Sequence, residues 1–124
     1  MSRPRDRYAD VGRAMRAAIE RAVAIRLTQR ETRAFLAALS LTAGQSVFAN
    51  STSVGQLAGL AGLSVKRASE ALNALHRYGV VTWTPTRTRG DSIIDLRAEL
   101  RMDAETAAAD RRRRRGLRWG EIRF

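Results

Sequence analysis

A mainly α protein with a small β-hairpin is the fold class this sequence predicts. Three observations carry that prediction. Apolar residues recur at helical spacing, in segments opened by capping patterns at Thr28-Gln29-Arg30-Glu31, Ser53-x-x-Gln56, Ser64 and Asp103. Glycines stand where two of those segments have to stop, at Gly62 and Gly79. Residues 80–84 and 92–96, rich in Val, Ile, Thr and Trp, flank the turn signal Gly90-Asp91. The 124 residues, 44% apolar and 6% aromatic, fit one domain spanning 1–124 with a small aliphatic core. No repeat or Pro/Gly/Ser-rich linker divides it.

The elements follow in order. Residues 1–7, MSRPRDR, are a basic arm. It either touches phosphates or a minor groove, or is a solvated tail. Residues 6–27 read as a long helix on which Tyr8, Val11, Met15, Ala18, Ala22 and Ile25 form one apolar stripe. Such a narrow stripe suits either a homodimer seam, through Tyr8, Val11, Met15, Ala18 and Ala22, or a clamp across its own domain. The capping box Thr28/Glu31 opens a second helix to about Ser40, with Phe35, Leu36 and Leu39 facing inward. Within the connector 42–50, Ser46-Val47-Phe48 reads as a short strand beside the hairpin.

Ser53 caps a helix over 54–61, whose Leu57 and Leu60 are expected inward, and Gly62 ends it in a left-handed conformation. Leu63 fills the turn. Ser64 caps the helix 65–78, which carries the stripe Val65, Ala68, Leu72 and Leu75 and closes at Gly79. Pro85 keeps the first hairpin strand from serving as a central one. Asp103 caps a last helix that ends at Gly116, with Arg111 to Arg115 placed to complement the macrodipole. The tail 117–124 gathers Leu117, Trp119, Ile122 and Phe124 and is expected to dock on its own domain or a partner.

Charge and missing residue types narrow the function. Lys and Arg number 23 against 12 Asp and Glu, a net charge of +11. A field of that sign attracts polyanions, of which nucleic acid is the commonest. There is no Cys and one His, His76, so thiolate metal sites are excluded and a catalytic triad has a single candidate base. Neither an enzyme nor a cofactor or metal is expected, and His76 reads as a structural residue. The charged residues 1–12 lack the apolar stretch of an export signal. Residues 34–65 carry no charge, but polar residues and glycines break them before a span of about 18 apolar residues is reached. A cytoplasmic, nucleoid-associated protein without a membrane segment is the expectation.

Once Val65, Ala68, Leu72 and Leu75 face the core, the opposite side of helix 65–78 presents Lys66, Arg67, Glu70, Asn73 and Arg77. A helix fits the major groove, and its first turn reaches deepest. Ser64, Lys66, Arg67 and Glu70 are therefore expected at base edges or phosphates. Arg67 suits guanine. Glu70 either accepts from cytosine or positions Lys66 and Arg67 as a same-helix partner. Asn73 either reaches adenine or touches backbone. Arg87, Thr88 and Arg89 at the hairpin tip suit phosphates or a minor groove. Ser53 stands where a helix N-terminus can hold a phosphate, although capping alone accounts for it. Arg111 to Arg115 adds phosphate contacts, contacts RNA or an acidic protein, or merely ends its helix.

The stretch SVGQLAGLAGLSVKRASEALNALHRYGVVTWTP, followed by a hairpin, resembles the winged helix-turn-helix domains of bacterial regulators of the GntR and MarR groups. It is also similar to the winged domains of plasmid and phage replication proteins. The likeness covers residues 53–96, about a third of the chain. With the preceding helix added, the winged core is expected over 28–96, and the N-terminal (1–27) and C-terminal (97–124) helical extensions lie outside the likeness. The likeness implies Lys66 and Arg67 in the major groove and Arg87 to Arg89 on the wing. The resulting expectation is sequence-specific binding of double-stranded DNA by a repressor-like transcription regulator. A replication initiation or control protein of a mobile element is the alternative, and a winged-helix adaptor that binds an acidic protein is the third reading.

Overall fold

The computed structural model describes residues 4–86 and 91–121, with side chains described within 8–86 and 91–115. Its elements in chain order are α1 (Pro4–Ile25), α2 (Gln29–Leu41), a 3-10 turn (Ala43–Gln45), β1 (Ala49–Ser53), α3 (Val54–Ala61), α4 (Val65–Tyr78), β2 (Thr82–Pro85), β3 (Asp91–Asp95) and α5 (Ala104–Glu121). The protein is mainly helical, with one three-stranded antiparallel sheet in the order β1-β3-β2.

Capping side chains set the helix starts. Thr28 accepts the Glu31 amide at 3.3 Å while the Glu31 carboxylate accepts the Thr28 amide at 3.0 Å. Ser53 accepts from the Gln56 amide at 3.0 Å, Ser64 from Arg67 at 3.2 Å and Asp103 from Thr106 at 2.8 Å. Each such cap is worth about 1 kcal/mol. Gly62 (φ 68) and Gly79 (φ 82) end α3 and α4 in the left-handed region. The Leu63 amide then closes on the Ala58 carbonyl and the Val80 amide on that of Leu75.

In the sheet, Ala49 lies opposite Asp95 and Ser53 opposite Asp91, while Trp83 on the other edge lies opposite Ile94. Pro85 sits at the end of edge strand β2, where its missing N–H costs least. The strand beside the hairpin exists, but it runs over Ala49–Ser53 and not Ser46 to Phe48. Ser46 has φ 58 and closes the 3-10 turn, so extended backbone begins only after it.

The core lies where α2, α3 and α4 meet the inner sheet face, with Phe35, Leu57, Leu72, Leu75, Tyr78 and Ile94 buried there. Alanines close the helices on each other: Ala34, Ala37 and Ala38 on α2, Ala58 and Ala61 on α3, Ala68 and Ala71 on α4. This shifts three expected faces. Leu36, Leu60 and Val65, each read as inward, are more than half exposed, at 57%, 54% and 57%. Close helix approach favours the small side chains at the contact and turns the large neighbours outward.

Helix α1 begins at Pro4, inside the stretch read as an arm, with proline at the first helical position where its missing amide is tolerated. It stops at Ile25, and Arg26 (φ 58) turns the chain into α2. The apolar stripe of α1 is occupied within its own chain: Val11, Ala18, Ala22 and Ile25 are buried and Met15 is partly so. Only Tyr8 of that stripe is outside. A homodimer seam through Tyr8, Val11, Met15, Ala18 and Ala22 is thus replaced by an intramolecular clamp. Arg21 reinforces the clamp by donating to the carbonyls of Val80 at 3.1 Å and Leu96 at 2.6 Å.

Gly116 does not end α5, which continues to Glu121. A glycine inside a helix costs only about 1 kcal/mol relative to alanine, so Gly116 by itself does not enforce a stop. The side chains of Leu117, Trp119, Ile122 and Phe124 lie outside the described residues. No helix among the described residues is long and apolar enough to cross a membrane.

Candidate nucleic-acid interface

Three faces divide α4. Ala68, Leu72 and Leu75 point into the core. Lys66 and Asn73, seven residues apart and therefore almost in line along the helix, form an exposed outer ridge with half-buried Ser69 beside it. The third face, carrying Arg67, Glu70, Ala74, Arg77 and Tyr78, turns toward α5. Ser64 is exposed at the N-terminus, and Ser53 is half-buried with its hydroxyl committed to capping α3. Hairpin-tip residues Arg87, Thr88 and Arg89 lie outside the described residues.

Arg77, half-exposed, reaches away from the outer ridge to α5. Its Nε lies 3.4 Å from Asp110 Oδ2 on α5. Asp110, 5% exposed, also meets Arg113 at 3.0 Å and Arg114 at 2.8 Å. Burial opposes charge on Asp110, yet the arginines around it hold its carboxyl below the usual carboxylate range. A buried carboxylate demands counter-charge, and Arg77 is part of it.

A second buried carboxylate ties three helices together. Glu31 on α2 accepts from the Tyr78 hydroxyl of α4 at 2.8 Å and from Arg111 of α5 at 2.6 and 3.0 Å. Burial pushes the Glu31 carboxyl up, but the bonds from Arg111, the Thr28 amide and Tyr78 outweigh it and leave the carboxyl low. Burial, with the Glu31 charge beside it, pushes the Tyr78 phenol up to about 12. Arg111 also lies over the Tyr78 ring, 5.1 Å from its centroid. The run 111–115 is therefore divided. Arg111 and Arg114 are half-buried on Glu31 and Asp110, Arg113 reaches Asp110 from an exposed position, and Arg112 and Arg115 are exposed with no such partner among the described residues.

His76 is structural. Its Nδ1 accepts the Trp83 amide at 3.0 Å and so pins β2 to α4. Burial, then the charges of Arg101 and Arg77, lower its pKa and favour the neutral ring that this bond requires.

Between the first turn of α2, the flank of α4 and the second half of α5 lies an open cleft of about 400 Å³. Ala71 and Ala74 line its α4 wall. Arg30, Arg67, Arg111, Arg114 and Arg115 surround it, against the carboxylates of Glu31 and Glu70. Sequence reading missed Arg30, which is hidden inside a capping box. It named Arg115 only within the run 111–115, as a phosphate contact or a helix end, and could not single it out from its neighbours. Among the described residues no group of three or more His, Cys, Asp or Glu is placed to hold a metal ion. Comparisons with protein-family models, with curated proteins and with solved structures return no match for this chain.

Proposed function

We propose that the chain is a winged helix-turn-helix protein that binds double-stranded DNA, with α4 in the major groove and the β2–β3 hairpin as the wing. The observation that carries this is the outer ridge of α4: Lys66 and Asn73 are exposed on a helix whose opposite side is core. The order supports it, since a three-residue turn, Gly62 to Ser64, joins α3 to α4 and two antiparallel strands follow. So does the net charge of +11. Lys66 and Asn73 read base edges, while Ser64 and the tip residues Arg87, Thr88 and Arg89 contact phosphates. Regulation of transcription is the role proposed, by a cytoplasmic, nucleoid-associated protein.

Selection of bound duplexes from a random pool tests the reading. Enrichment of one motif is expected, and Asn73→Ala is then expected to lower preference for that motif by on the order of 1–3 kcal/mol at one base pair. Equal weakening on every sequence would remove Asn73 from base reading. A palindromic motif favours a repressor, and direct repeats favour a replication initiator.

A further inference from the structure

Three guanidinium groups on the cleft beside α4 stand apart from the rest of the arginine cluster. Arg30, Arg67 and Arg115 are all exposed, and no hydrogen bond or ion pair engages their side chains among the described residues. Their neighbours Arg111 and Arg114, on the same cleft, are held by Glu31, Asp110 and Tyr78. The paired arginines fix α5 against α2 and α4. The unpaired ones come from three different helices and converge on one space. Like charges gathered this way repel one another unless an anion joins them.

The acids on the cleft do not neutralise it. Arg111 is matched by Glu31 and Arg114 by Asp110, which leaves Arg30, Arg67 and Arg115 facing Glu70 as the remaining acid on the cleft. The α4 wall is shaped for a ligand to approach, because Ala71 and Ala74 project little into the space. Arg67 belongs at once to the first turn of α4 and to this cleft.

We propose that the cleft between α2, α4 and α5 is a phosphate seat. One backbone strand bordering the major groove lies in it, held by Arg30, Arg67 and Arg115. This rests on the DNA-binding reading and extends it to a side of α4 that the helix and hairpin motif does not cover. Guanidinium forks match phosphate oxygens in pairs, and the contact carries no sequence information. Arg67 is accordingly a backbone contact and not a reader of guanine.

The test measures duplex affinity against salt for the full chain and for Arg30→Ala, Arg115→Ala and, as a control, Arg16→Ala on the exposed side of α1. Each cleft substitution is expected to weaken every duplex alike and to flatten the slope of log K against log[salt] by about 0.9, one phosphate's share. Arg16→Ala is expected to leave the slope unchanged. Wild-type slopes in both cleft variants, with the full chain still binding DNA, would overturn the phosphate seat and leave the DNA-binding reading standing. Absence of duplex binding by the full chain would overturn both. Calorimetry with inorganic pyrophosphate supplies the remaining arm. Pyrophosphate binding that both cleft variants abolish without changing the duplex slope would assign the seat to a free phosphorylated ligand and overturn the backbone assignment.

Discussion

Glu31 is at once a helix cap, a hydrogen-bond acceptor and the counter-ion of an arginine eighty positions along the chain. The capping box was legible from Thr28-x-x-Glu31 alone, because a capping box depends on four consecutive residues. Tyr78 and Arg111 were not legible, because nothing local pairs residues so far apart in sequence. The pair has a pH consequence. The folded carboxyl is lowered below its unfolded value of about 4.3, so its stabilisation is complete above that pH and is lost as pH falls through the folded value. Removing one partner leaves a buried charge unmatched, so Glu31→Ala is expected to cost about 3 kcal/mol at neutral pH. Glu31→Gln is expected to cost less and to shallow the loss of stability on acidification. Urea midpoints at neutral and acid pH check both. An undiminished acid dependence in Glu31→Gln would shift the effect to Asp95, Asp103 and Asp110, whose carboxyls are also lowered.

At the scale of elements, α3 and α4 run as their capping signals predicted, from Ser53 to Gly62 and from Ser64 to Gly79. The two closing glycines differ in what they tolerate. A Cβ on Gly79 would stand 1.9 Å from the Glu99 carbonyl oxygen and 2.8 Å from the Arg101 nitrogen, whereas at Gly62 the nearest atom is a flexible Arg33 tip 3.7 Å away. Gly62→Ala is expected to cost about 1–2 kcal/mol from φ alone. Gly79→Ala is expected to cost at least about 3 kcal/mol, since the segment carrying Glu99 has to move as well. Thermal melting of the two variants measures the difference, and equal losses would mean that the segment yields freely. The faces of α2, α3 and the start of α4 were less legible than their extents. Periodicity weighs large side chains, and here Ala34, Ala38, Ala58 and Ala61 make the contacts while Leu36 and Leu60 turn outward. The stripe on α1 was found correctly, but sequence offered no way to tell a partner's core from its own.

Across the whole molecule, charge and architecture point the same way. A net charge of +11 is not spread evenly in its consequences, because Asp110 and Glu31 engage Arg77, Arg111, Arg113 and Arg114, of which Arg111 and Arg114 are mostly enclosed. Lys66 on the outer ridge, and Arg67, Arg30 and Arg115 on the cleft beside it, are exposed with no such pairing among the described residues. The ridge was visible in the sequence as the polar side of one helix. The cleft was not, because it exists only once α2, α4 and α5 have assembled. The central claim is that this assembled surface grips a duplex through its phosphates, and the salt dependence of binding tests it most directly. If about six phosphates are contacted, log K falls against log[salt] with a slope near −5, and affinity drops by about a thousandfold between roughly 50 and 200 mM salt. A duplex affinity indifferent to salt over that range would contradict it.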